Sequence, residues 1–207
     1  MTIVLSLLAA ALYGGGDFSG ALAVRRSSAL QVVAGSHTVG LLGILAVAVV
    51  VDRPLTGAAL ALGALSGLFV ALGVGLLYRR LAAGPMSVVA PVTALTAAAL
   101  PTMWGAASGD QLGPVAWCGI AAAAIAIALV SAAAPPDQVP VNATVIGESL
   151  LAGGAFGVFF IILAEADPAT SPWPVVGSRL ASSSLLLAVL AMTGRRLVPA
   201  DRIAAGQ

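Results

Sequence analysis

Between Arg26 and Asp52, between Arg80 and Asp110, and between Asp110 and Asp137 the chain carries no Asp, Glu, Lys or Arg. Each gap is long enough for a helix of about 20 residues to cross a hydrocarbon layer of about 30 Å. Composition points the same way. Hydrophobic residues make up 60% of the chain and charged ones 8%, and the mean hydropathy is +1.08. A soluble fold would have too little polar surface to cover itself. The sequence therefore reads as all-α, a polytopic helical protein embedded in a lipid bilayer.

Seven spans are predicted, at 3–24, 29–51, 57–78, 85–107, 112–134, 145–164 and 173–193. The breaks between them, among them "RRSS", "VDRPLTG", "YRRLAAGP", "ASGDQLGP" and "GRRLVPADR", carry turn punctuation and are short, so neighbouring helices must run antiparallel. Gly16 with Gly20, Gly63 with Gly67, and Gly153 with Gly157 fall at small-xxx-small spacing, which lets helix backbones approach closely in lipid. No Lys or Arg precedes the first apolar run, and apolar character resumes after its glycines, so it reads as a retained span rather than a signal peptide. The single Cys118, expected to be a packing residue, and the single His37 leave no set of ligands for a metal site, and no cofactor is expected.

Sliding the chain by about 143 positions lays "LYGGGDFSGALAV" on "AFGVFFIILAEA", pairing Tyr13-Gly14 with Phe156-Gly157. After a one-residue adjustment "VVAGSHTVGLLGILAVAVV" falls on "VVGSRLASSSLLLAVLAMT". Five spans precede the second copy, and an odd number of crossings turns it over relative to the first. That is the inverted-repeat layout of secondary transporters. The expected organisation is a five-helix repeat over 1–134, a linker over 135–144, and a partial second repeat of two helices and the following loop over 145–207.

Three stretches carry a family resemblance: "LYGGGDFSGALAVRR" in the first span, "LLYRRLAAGPMSVVAPVTALTAAALPTMWG" across the third and fourth, and "WCGIAAAAIAIALVS" in the fifth. In these the chain resembles the EamA type of the drug/metabolite transporter superfamily. The resemblance implies a ten-helix carrier of two five-helix repeats that moves small organic solutes across the plasma (inner) membrane, and no enzymatic activity. Relative to that pattern the sequence stops at Gln207, after the seventh span, has Tyr13 where a tryptophan is usual, and has "SGDQ" where Gly-Glu-Arg often follows the fourth span. Pairing with a second copy or with further helices would then complete the carrier. An incomplete, inactive or partner-dependent fragment is one alternative.

The candidate site follows from the polar residues inside the spans. An ionised Asp17 within the first span costs on the order of 2.5–3.5 kcal/mol, against about 0.3–0.6 recovered per Leu, Ile or Val, so it should face protein or water. It shares a helical face with Tyr13, Gly14, Gly20 and Ala21. Gly14–Gly16 would cost roughly 2–3 kcal/mol in a regular helix, and a bend or partly unwound turn is expected there. Asp17 reads as a coupling or solute-binding acid, or as a paired structural one. In the fourth span Pro91 and Pro101 each remove a backbone hydrogen bond and should kink the helix. Ser87, Thr93 and Thr96 are placed to meet some of the released carbonyls or to face solute, an ordinary proline-kinked packing helix being the alternative, while Pro85 suits a helix start. His37 and Arg179 occupy nearly equivalent positions in the second span of each repeat. His37 is either a titrating relay or hydrogen-bonded structure. Arg179 cannot shed its charge and must find a carboxylate, carbonyls, water or an anionic solute; Asp17 is one such partner, and the resemblance implies a solute-facing role. Glu148 is placed in the first turn of the sixth span, favoured by the helix dipole.

The arginine pairs 25-26, 79-80 and 195-196 read as topology signals. Loops after spans 1, 3, 5 and 7 hold seven arginines, whereas loops after spans 2, 4 and 6 hold only Arg53. The positive-inside rule then puts the N-terminus outside, while relatives are usually drawn with it in the cytoplasm, so orientation stays open. A membrane enzyme acting on lipids would need a nucleophile with its base, and no Ser/His/Asp grouping has suggestive spacing. Nucleic acid is not an expected partner at a net charge of +1 with no basic cluster longer than two.

Overall fold

A computed structural model describes residues 2–24, 26–83, 86–111, 113–133 and 141–194. Among these residues the chain is all-helical: α1 (Thr2–Val24), α2 (Ala29–Val50), α3 (Gly57–Ala83), α4 (Met86–Ala107), α5 (Pro114–Ala133), α6 (Ala143–Ala164) and α7 (Trp173–Met192), with a 3-10 turn at Pro168–Thr170 before α7. Six of the helices are long and apolar enough to cross a membrane; in α5 the apolar stretch found is the shorter Pro114–Leu129. Arg25, Pro85, Arg195 and Arg196, and most of the expected linker, lie outside the described residues.

The ends follow local chemistry. Ser28 caps α2 in a reciprocal box: Gln31 N–H donates to Ser28 Oγ at 3.3 Å and Ser28 N–H donates to Gln31 Oε1 at 3.0 Å. Asn142 accepts from Val145 N–H at 2.9 Å at the start of α6. Gly109, at φ 100°, closes α4, with Asp110 N–H donating to Gly105 O at 3.0 Å and Gly109 N–H to Ala106 O at 3.3 Å. Ser28→Ala is expected to lower stability by about 1 kcal/mol, read as a lower thermal midpoint in detergent.

Two sequence expectations need correction. α3 does not stop before Arg79 and Arg80 but carries both inside it, ending at Ala83. Nothing in Tyr-Arg-Arg-Leu-Ala-Ala opposes helix, and arginine stems can run along apolar surface with their heads at its edge. Nor do the three glycines unwind α1, which is continuous from Thr2 to Val24. Their cost is one of propensity, set against a 23-residue helix, and Ser19 Oγ adds a bond to Gly15 O at 2.7 Å.

α3 is the hub. It packs most extensively against α7 and α6, while α2 adds to α7 and α4 to α6. One apolar cluster joins Val33 and Ala34 of α2, Ala71 and Tyr78 of α3, and Leu186 and Leu190 of α7. A second joins Leu77, Val89, Val145 and Ala152 from α3, α4 and α6. α1 and α5 are peripheral, and α5 meets chiefly α4, so Cys118 is exposed rather than packed.

The close crossings are made by glycine. A Cβ at Gly63 or Gly67 of α3 would collide with the backbone carbonyls of Pro174 and Ser178 on α7, and one at Gly177 would sit 2.6 Å from Leu60 O. A Cβ at Gly153 or Gly157 of α6 would sit 2.6 Å from Thr93 O or 2.7 Å from Leu100 Cβ on α4. Two of the three small-xxx-small pairs thus mark helix crossings. In the third, Gly20 lies under the Tyr78 ring and Gly16 has nothing within 4 Å.

The same contacts give directions. Gly63 meets Pro174 and Gly67 meets Ser178, so α3 and α7 run parallel. Thr93 and Leu100 of α4 meet Gly153 and Gly157 of α6 in ascending order, so these are parallel too. His37 opposite Ser182 and Gly40 opposite Arg179 make α2 and α7 antiparallel.

Candidate functional site

α7 brings an unusual run, "SRLASSS", to a buried face: Ser178, Ser182 and Ser183 are all nearly inaccessible. Of the three, Ser182 has a polar partner across the helix pair. Ser182 Oγ donates to Arg179 O at 3.3 Å and sits 2.8 Å from Nδ1 of His37, which is 3% exposed. A hydroxyl has one proton, so while it is directed at the Arg179 carbonyl the Ser182 oxygen accepts from His37 Nδ1–H. Ser183 Oγ is buried without a partner among the described residues. The half-buried Arg179 lies across Gly40, its Nε 3.5 Å and Cζ 3.6 Å from where a Gly40 Cβ would stand. His37, Ser182 and Arg179 are therefore one polar node inside an apolar seam. Ser182 itself is fully covered.

The remaining expected residues lie elsewhere. Tyr13 and Asp17 are on the exposed part of α1, with Asp17 within electrostatic reach of Tyr78 on α3. Thr93 is buried between α4 and α6 and donates to Ser149 O at 3.2 Å, while Thr96 donates to Val92 O at 2.8 Å. These threonine hydroxyls therefore do not serve the carbonyls that Pro91 and Pro101 release. Ser87 and Pro91 are half-buried on α4, which remains α-helical through both prolines. Of the seven candidates the fold brings His37 and Arg179 together. It separates them from Ser87, Pro91 and Thr93, since α3 lies between the α2–α7 and α4–α6 pairs.

The feature that sequence reasoning missed is a charge node between α3 and α6. Arg79 Nη2 and Arg80 Nε each lie 2.5 Å from Glu148 Oε2. Glu148 is past the first turn of α6, so it is fixed by two guanidiniums rather than by the helix N-terminus. The signal was available, because α6 carries one acid in an otherwise apolar span. Both ion pairs among the described residues are these, and neither involves Asp17 or Arg179. No group of three His, Cys, Asp or Glu side chains converges among the described residues. No family model, curated protein or solved structure matches the chain at a significant level.

Proposed function

We propose that the chain is a multi-pass protein of the inner or plasma membrane and a secondary transporter, exporting or exchanging a small organic solute by alternating access. The membrane reading is supported by apolar side chains left uncovered along helices of spanning length, with Val50 of α2 82% and Met192 of α7 86% exposed. In water such surface costs roughly 25 cal/mol per Å², a penalty that lipid removes. The EamA-type reading rests on the motifs at 12–26, 76–105 and 117–131.

The observation that carries the transporter reading is the α2–α7 seam. A shift that lays His37 on Arg179 also lays Gly40 on Ser182. The contact between His37 and Ser182 then maps onto the contact between Arg179 and Gly40. Any antiparallel pair exchanges partners in this manner, so the support lies in the antiparallel run of α2 and α7 and in the polar groups His37 and Arg179 at their seam, the arrangement of inverted repeats meeting at a binding interface in secondary transporters.

The test is flux into proteoliposomes holding the full chain, across a panel of small metabolites, with and without a pH gradient. Gradient-driven uptake is expected in the unmodified protein, with a loss of about tenfold or more in Asp17→Asn, within the usual range for a coupling free energy. Unchanged flux in the variant removes Asp17 from coupling. No flux or exchange of any solute counts against transport itself.

A further inference from the structure

We propose that the α3–α6 seam binds an anionic phospholipid, its phosphate at Arg79 and one acyl chain in the groove alongside. The proposal rests on the membrane placement above and is independent of transport. Two separate features of the seam coincide.

The first is charge. One carboxylate oxygen, Glu148 Oε2, receives both Arg79 Nη2 and Arg80 Nε, so the node keeps one positive charge in excess. Arg80 and Glu148 are largely covered, at 20% and 18% side-chain exposure, whereas Arg79 is 62% exposed. The excess is therefore presented outward on a guanidinium, whose planar fork of donors suits phosphate oxygens.

The second is shape. An apolar groove of about 460 Å³ runs between Phe69 and Leu72 of α3 and Leu150, Leu151, Gly154 and Val158 of α6. Its wall begins at Gly147, the neighbour of Glu148, and continues to Val158, roughly 16 Å along the helix at 1.5 Å per residue. Leu72 and Arg79 are seven residues apart on α3, two turns along one face. The groove thus opens beside the charge. A free phosphate would leave the groove unfilled and a zwitterionic lipid would offer Arg79 no net charge. An anionic phospholipid satisfies both parts, as basic pockets between spans do for such headgroups.

The full chain, purified in mild detergent, is titrated with phosphatidylglycerol, phosphatidylcholine and inorganic phosphate, with retention read by native mass spectrometry and stability by the thermal midpoint. Phosphatidylglycerol is expected to be retained about fivefold better than phosphatidylcholine and to raise the midpoint, with phosphate doing neither. Arg79→Gln is expected to bring the two lipids level, and Arg79→Lys to keep the preference. Gly154→Leu, at a position where a Cβ meets nothing within 4 Å, fills the groove and lowers retention of both. Equal retention by the unmodified protein, a preference that survives Arg79→Gln, full retention in Gly154→Leu, or a midpoint shift reproduced by phosphate overturns the site. Failure of the membrane placement is distinguishable, because the chain would then leave the membrane fraction on an alkaline wash without detergent.

Discussion

Gly67→Leu is expected to keep the folded protein from accumulating. A Cβ at this position collides with Ser178 O and comes within 2.9 Å of Ser178 Cα and 3.0 Å of Ser178 C, all backbone atoms of α7. Overpacking costs about 1–3 kcal/mol where neighbouring side chains can yield. Here α7 itself must move away, and with it the Gly63–Pro174 and Gly177–Leu60 crossings and the His37–Ser182 bond, so the cost should be at least about 3 kcal/mol. Gly15→Ala is the contrast: nothing lies within 4 Å, and helix propensity favours alanine by up to about 1 kcal/mol. Size-exclusion profiles and thermal midpoints of the two variants should move in opposite directions. If both behave alike, the α3–α7 crossing is not the close backbone contact described.

Glu148→Lys should be the most damaging single charge substitution. It replaces the one acid that Arg79 and Arg80 share with a third cation, at the joint where α6 is fastened to α3. Removing one partner from a partly covered pair leaves uncompensated charge, which costs far more than the intact pair contributes. The ratio of folded to unfolded protein should fall by at least about tenfold. The double variant Arg80→Glu/Glu148→Lys restores one opposite-charge contact and should recover part of that loss. A double variant no better than the single one would mean that the charges are held by solvent or lipid rather than by each other. Glu165→Lys, on an exposed residue at the end of α6, is the control and should change little.

The helices were legible because their signal is local. The predicted span 29–51 and the observed Ala29–Val50 differ at one end by a single residue; the apolar run alone places it, and in the fold Ser28 and Gln31 cap its start while Asp52, with φ 43°, takes the turn after its end. Span 3 falls short of α3 because charge ends an apolar run in the sequence, whereas arginine does not end the backbone's hydrogen bonding. The glycine pairs were legible as packing positions but not as to their partners. Gly63 and Gly67 find α7, more than a hundred residues away, and spacing within one helix holds no information about which neighbour it meets.

The site was less legible for the same reason. Asp17, Tyr13, His37, Ser87, Pro91, Thr93 and Arg179 were each singled out by the cost of polarity or a broken hydrogen bond in an apolar run, which is a property of a residue in its own helix. Only packing reveals that Thr93 turns to Ser149 O, that His37 and Arg179 meet across α2 and α7, and that Glu148 gathers two arginines from α3.

By itself the sequence determined that the chain is helical, where most helices start and stop, and that six of them are long and apolar enough to cross a bilayer, because hydropathy and turn punctuation act within a few residues. Tertiary structure alone decided which helices touch. α3 became the hub because its glycines admit the backbone of α7 on one side and its arginines fasten α6 on the other, and such pairings depend on surfaces complementary across the fold rather than on neighbours in the chain.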